Sequence, residues 1–266
     1  MMKYILTLCS IMLFSTIGTQ IFAQEDSKHE YHYKQLDPIE TDEYKIEIAD
    51  AHSQAEFTVM KAKITNKTSD FLIFKQSEIL FKYEHGDVKH EGKDIIIKPG
   101  GSVSKSIKVT GGLQFHVEKL SVIYDCFYRL SAEKELVKAP DFDIPGSINE
   151  FKAGGFQVTM KKLDKRTQET VANFNVIYTG NDYGIVTSGK TAARLDDGRE
   201  FASTAGKKIK LNVLAPGEKK KLTVSYTIPG KTADMQLVNM KIIWRTTFVE
   251  SKAIKLAAQT LNFTVN

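Results

Sequence analysis

The chain has 266 residues, 42 % of them hydrophobic and 26 % charged, and a formal net charge of +5. Its two cysteines are Cys9 and Cys126, and the first falls in an N-terminal segment with the marks of a removable export signal. One remaining cysteine excludes an internal disulfide, so core packing must hold the exported protein together.

Lys3 is the one charge before an uncharged, mostly apolar run from Ile5 to Gly18, and Ile21-Phe22-Ala23 ends the segment on a small residue. This pattern predicts a signal peptide over 1–23, too short for a comfortable membrane span, with no transmembrane segment once it is removed. Cys9 follows Leu8 early in the run and does not fit a lipid-modified cysteine. Residues 24–43 are polar, charged and without period, and predict a flexible leader. From Tyr44 the period becomes two. Tyr44, Ile46 and Ile48 alternate with Lys45 and Glu47, and Met60, Ala62 and Ile64 alternate with Lys61 and Lys63. Alternation of that kind puts one strand face on a core and the other in water.

Asn66 to Asp70 reads as a turn before the apolar run Phe71 to Phe74. Ile79, Phe81 and Tyr83 then lead to Gly86-Asp87, a two-residue hairpin connection, and Ile95 to Ile97 precede Pro99. Around Pro140 to Ser147 the pattern breaks, and residues 140–150 predict an interdomain linker. The second half starts near Phe156. Phe174, Val176 and Tyr178 answer Met60, Ala62 and Ile64, and Asp197-Gly198 answers Gly86-Asp87. Leu222, Val224 and Tyr226 follow, and a strand with Leu261, Phe263 and Val265 is expected to finish this half.

The two halves share more than a period. Val117, Leu120, Val122 and Tyr124 recur at identical spacing as Leu237, Met240, Ile242 and Trp244. Each block follows a Pro-Gly turn (Pro99-Gly100, Pro216-Gly217), an alternating strand and a further glycine (Gly111, Gly230). A pattern repeated once at the spacing of a small core predicts two similar domains. Short strands between turns, about seven per unit, without a convincing helical stripe, predict an all-β chain of two tandem antiparallel immunoglobulin-like β-sandwiches, over 44–139 and 151–266. Leu195 to Trp244, with Leu214-Ala215-Pro216-Gly217-Glu218, and more weakly Ile64 to Tyr124, resemble the extracytoplasmic immunoglobulin-like domains of bacterial secreted antigens and lipoproteins. That resemblance implies a fold and an exported location, periplasmic or secreted, and no reaction.

Charge is divided unevenly. Residues 24–150 hold 17 Lys+Arg against 23 Asp+Glu, a formal −6, and residues 151–266 hold 19 against 9, a formal +10. The excess in the second half favours anionic partners. On strands, Lys208 with Lys210 and Lys219 with Lys221 should each share a face, making one basic surface if the strands lie side by side.

All six histidines lie in the first half. With Gly86-Asp87 as the loop, His85 and His90 fall diagonally on one hairpin face, about 6 to 8 Å apart at Cβ. His116 or Glu91 could then supply a third ligand for copper or zinc. Against that, solvated or hydrogen-bonded histidine is the commoner state. No Gly-x-Ser-x-Gly elbow, His-Glu-x-x-His or phosphate-binding glycine loop occurs. The sequence therefore predicts a non-catalytic envelope module without a cofactor, whose partner is an envelope protein, a glycan or an anionic surface and not nucleic acid. Metal binding or delivery by the first-half histidines is the alternative.

Overall fold

The computed structural model describes residues 29–111, 114–133, 135–204 and 210–265. The expected export signal and Lys208 lie outside them. The fold is all-β: the described residues form antiparallel sheets with no α-helix, and the one helical turn is Gln76–Glu78. In the first half the strands are β1 (Tyr31–His32), β2 (Ile39–Glu40), β3 (Tyr44–Gln54), β4 (Phe57–Asn66), β5 (Phe71–Phe74) and β6 (Ile79–Tyr83). They continue with β7 (Gly86–Lys89), β8 (Ile95–Ile97), β9 (Ser102–Thr110), β10 (Lys119–Tyr124) and β11 (Phe127–Leu130). Then come β12 (Glu135–Leu136), β13 (Phe142–Ile144), β14 (Glu150–Ala153), β15 (Phe156–Lys165), β16 (Glu169–Tyr178) and β17 (Tyr183–Thr187). The rest are β18 (Ala192–Leu195), β19 (Glu200–Ala202), β20 (Leu211–Leu214), β21 (Lys219–Thr227), β22 (Met240–Ile243), β23 (Phe248–Ser251), β24 (Ile254–Lys255) and β25 (Gln259–Thr264).

The alternating residues do what their period requires. Tyr44, Ile46, Ile48, Met60, Ala62 and Ile64 are buried in one core, and Phe174, Val176, Tyr178, Leu222, Val224 and Tyr226 in a second. In the first core, β3, β4 and β9 supply one layer, and two sheets, β25-β10-β6-β7 and β24-β11-β5-β8, supply the other. The second core repeats the scheme, with β14-β15-β16-β21 against β13-β22-β18-β19 and β12-β23-β17-β20. Both arrangements are compatible with a β-sandwich. The shared block is real in three dimensions. Leu120, Val122 and Tyr124 sit in the first core at the places Met240, Ile242 and Trp244 take in the second. Leu237, the expected counterpart of Val117, is instead 83 % exposed, and its neighbour Val238 packs on the core.

The final strands depart from the expected layout. β25 pairs with β10 of the first half along six positions, from Lys119 opposite Thr264 to Tyr124 opposite Gln259, and Leu261 and Phe263 enter the first core. The matching position in the second half is taken by β13, which pairs with β22 and buries Phe142 and Ile144. β24 likewise pairs with β11, and β12 with β23. Each half is thus closed by strands that follow the other half's repeat. Residues 140–150, expected as a linker, contain β13 and the start of β14, both part of the second unit's sheets.

The two crossings run beside each other. Tyr128 faces Lys255 and Arg129 faces Ile254, then Glu135 faces Glu250 and Leu136 faces Val249. Both ends belong to one antiparallel pair of chain segments that bridges the units. A third apolar cluster fills the joint: Phe71, Ile73 and Leu130 from the first half meet Ile185 and Val249 from the second. This explains the unbroken run Phe71–Phe74. Leu72 and Phe74 face the first core while Phe71 and Ile73 face the joint, so all four are buried.

Residues 29–43, the described part of the expected leader, are also more ordered than their composition suggests. β1 and β2 pair with β3, and Tyr33 is buried, its hydroxyl donating to the Val117 carbonyl at 2.8 Å and lying 2.8 Å from Ser53 Oγ. Leu36 and Ile39 pack on the same core, so a few apolar side chains anchor a segment that is otherwise polar.

Candidate functional site

The histidines meet different fates. β6 and β7 turn through Glu84-His85, not Gly86-Asp87: Tyr83 pairs with Gly86, Phe81 with Val88, and the His90 N–H donates to the Ile79 carbonyl at 3.0 Å. That register sets Val88 opposite Phe81, where it packs on the core. His85 therefore stands exposed at the tip, its ring 5.9 Å from that of Tyr83. His90 is buried, with Nδ1 3.0 Å from the Lys108 carbonyl, and burial pushes its pKa down. His116 lies with the leader: its Nε2 is 2.7 Å from His29 Nδ1, and its ring stacks on Tyr31 at 3.9 Å. The three do not converge, and among the described residues no group of three or more His, Cys, Asp or Glu is placed to hold a metal ion. Cys126 is buried in the first core, and burial, with Glu78 and Asp125 adding to it, raises its thiol pKa far above the ordinary value.

The basic residues share a face only in part. Lys219 and Lys221 are exposed on β21, on the side opposite the inward Leu222, Val224 and Tyr226. Lys210 is exposed just before β20, but β20 pairs with β17 while β21 pairs with β16. The strands expected side by side thus sit in different sheets.

What sequence did not show is a cleft of about 750 Å³ at the edge of the second unit, beside the crossing chain segments. Its lining draws on five places in the chain: Glu135 of β12, Gly155, Tyr178 of β16, the turn 180–182, and residues 250–254. Glycines let these segments close up. A Cβ on Gly180 would lie 2.3 Å from the Tyr178 hydroxyl, and one on Gly155 would lie 2.8 Å from Glu250 Oε1. The Gly155 Cβ would also lie 2.8 Å from the Gly180 backbone, so it is the approach of these two segments and of Gly180 to the buried tyrosine ring that requires glycine. The Gly155 N–H donates to Glu250 Oε1 at 2.7 Å, and the Tyr178 hydroxyl hydrogen-bonds the same carboxylate, so Glu250 is held from two sides. Burial, then the nearby Glu250 and Asp182 carboxylates, push the Tyr178 phenol up to about 12, so it stays a neutral donor at ordinary pH.

The cleft combines a neutral phenol, carboxylates and the Asn181 amide with an apolar wall of Ala253 and Ile254. Its volume falls within the range of small-molecule sites, which are about 300–1,000 Å³. Groups of this kind orient and hold a ligand. The one local signal in sequence is the density of glycines around Tyr178 (Gly154, Gly155, Gly180, Gly184). No protein-family model and no curated protein matches this chain.

Proposed function

We propose that the protein is an exported, non-catalytic binding module of a bacterial cell envelope, built from two immunoglobulin-like β-sandwiches, with the Tyr178–Glu250 cleft as its ligand site. The layered all-β architecture and the apolar N-terminal run Ile5 to Gly18 support the class and the location. The observation that carries the binding role is the cleft itself, where glycines bring the backbone against fixed polar groups from five separate segments. A site assembled from such distant segments depends on the fold, as a binding site does.

The test is retention of envelope components on immobilised protein spanning 24–266, compared with the Gly180→Ala and Glu250→Gln proteins. A component held by the unchanged protein and released by both substitutions supports the cleft as the ligand site. Retention that survives both substitutions places binding elsewhere and refutes the assignment.

A further inference from the structure

The sheet β14-β15-β16-β21 turns one face to the second core and the other outward. Alternation assigns the outward residues, and register sets them in rows across the strands. Lys152, Gln157, Ile177 and Lys219 form one row, and Glu150, Thr159, Asn175 and Lys221 the next. Past the bulge at Lys161, Lys162 stands beside Asn173 and Thr223, whose hydroxyl donates to Asn173 Oδ1 at 2.7 Å. With strands about 4.7–4.9 Å apart, Lys152 and Lys219 lie about 14–15 Å from each other across the sheet. Lys219 and Lys221, two residues apart on one strand, are separated by about 6.5–7 Å. Lysines thus frame a patch of amides and hydroxyls on three sides.

These lysines are not neutralised. Among the described residues, Lys152, Lys161, Lys162, Lys219 and Lys221 take part in no ion pair. The face also carries Glu150, Asp164 and Glu169, and the last two are engaged by Arg166. The equivalent sheet of the first unit, built on β3, β4 and β9, treats its lysines differently. Lys45 and Lys63 pair with Glu47, Lys61 pairs with Asp50, and the Lys108 ammonium lies 4.0 Å over the Phe57 ring. One unit satisfies the cations of this face internally and the other leaves them open. Open cations on one face raise its potential and draw in an anion.

We propose that the outer face of β14-β15-β16-β21 binds an acidic polysaccharide, with its carboxylate or sulfate groups on the lysine frame and its hydroxyls on the amides between. The inference goes beyond the cleft reading and concerns a separate surface. Sugar hydroxyls both donate and accept, as do amide and hydroxyl side chains. Gln157, Thr159 and Asn175 are half-buried and spend none of that capacity on side-chain hydrogen bonds among the described residues. A membrane surface suits this face less well, because membrane binding also draws on inserted apolar side chains. The large exposed apolar residues, Leu136, Ile148, Leu237 and Ile254, are not on it. Single-stranded nucleic acid stacks its bases on aromatic rings, and the aromatic residues of these strands turn inward to the second core.

The experiment is titration calorimetry on the purified protein with an oligogalacturonate, a sulfated dextran fragment, and neutral dextran as the control. Binding of an acidic glycan at about 0.1 mM or below is expected, and the tighter of the two identifies the acidic group. Lys152→Glu with Lys219→Glu and Lys221→Glu should weaken it about tenfold or more. Lys98→Glu with Lys105→Glu, exposed on the first unit, should leave affinity unchanged. Thr159→Ala with Asn175→Ala should weaken glycan binding about threefold or more and leave retention on phosphatidylglycerol vesicles as it was. Trp244 emission checks that each variant keeps its second core. Failure of both acidic glycans, equal binding of neutral dextran, or unaltered affinity in the triple lysine variant overturns the proposal. Vesicles or a single-stranded oligonucleotide held as tightly as the glycan would make the face a general anion attractor and overturn it as well.

Discussion

Replacing Phe263 by alanine separates two accounts of this molecule. By sequence position Phe263 ends the second repeat, but in the structure it is 1 % exposed in the first core, its ring 5.8 Å from that of Tyr33. Truncating a buried phenylalanine costs about 3–5 kcal/mol through lost transfer energy and the cavity left behind. That is a large share of the about 5–15 kcal/mol that holds a domain folded. At 1.4 kcal/mol per decade, amide protection in the first core should fall by about two to three and a half orders of magnitude. Hydrogen exchange resolved along the chain reads this at β4 and β10. The single tryptophan, Trp244, lies in the second core beside Phe151, Phe174 and Phe248 and reports that core alone. Phe263→Ala should therefore open β4 and β10 while leaving Trp244 emission and the protection of β21 and β22 near their original values. Loss of protection in β21 and β22 with β4 and β10 intact would refute the exchanged layout.

His90 should make the protein acid-sensitive. Its pKa is lowered by burial, partly offset by its bond to the Lys108 carbonyl and by Glu91, so the folded state holds the neutral ring more firmly than the unfolded chain does. The stability this contributes is fully present above the unfolded value of 6.5 and is lost as pH falls through the depressed folded value. Melting temperatures between pH 7.5 and 5.5 should drop, and His90→Asn should flatten that slope; an equally steep slope in the variant counts against it. Cys126, buried with a raised thiol pKa, should resist a thiol reagent at pH 8 until the first core opens, and rapid stoichiometric labelling of native protein would contradict its placement. Lys219→Glu with Lys221→Glu should reduce retention on anionic vesicles at about 0.1 M salt, and the difference should vanish near 1 M, where the screening length falls to about 3 Å. Identical retention at low salt would mean the two lysines serve only solubility.

What sequence revealed follows from its periods. Two-residue alternation placed Ile46, Met60, Val176 and Tyr226 on core faces because a strand has only two faces and water selects between them. Positive φ angles at Gly100 (63°), Gly198 (85°) and Gly217 (81°) show why those glycines punctuate turns. The period says which face a residue occupies, not which sheet its strand joins. Leu261 and Phe263 carry the same alternation as Phe142 and Ile144, so by pattern either pair could close either unit, and only tertiary packing chooses. The hairpin at Glu84-His85 was missed for a related reason. The register is set by Val88 reaching the core opposite Phe81, and that outweighed the local turn preference of Gly86-Asp87. The cleft was illegible because Glu135, Gly155, Tyr178 and Glu250 come from separate strands that are far apart in sequence.

The exchange of closing strands sets an order of assembly. β12 and β13 precede the second repeat, so every strand of the second unit has been made once β23 emerges. The first unit, although its core strands come earlier, must wait for β24 and β25 before the β10 and β11 edges are covered. Domains ordinarily finish in the order in which they are synthesised. Here the upstream unit finishes last, and its open edges at β10 and β11 remain exposed for the whole time the downstream half is being made. Such edges are templates for pairing with other chains. A chain stalled or cleaved after β23 should therefore carry a folded second unit behind a sticky, incomplete first one.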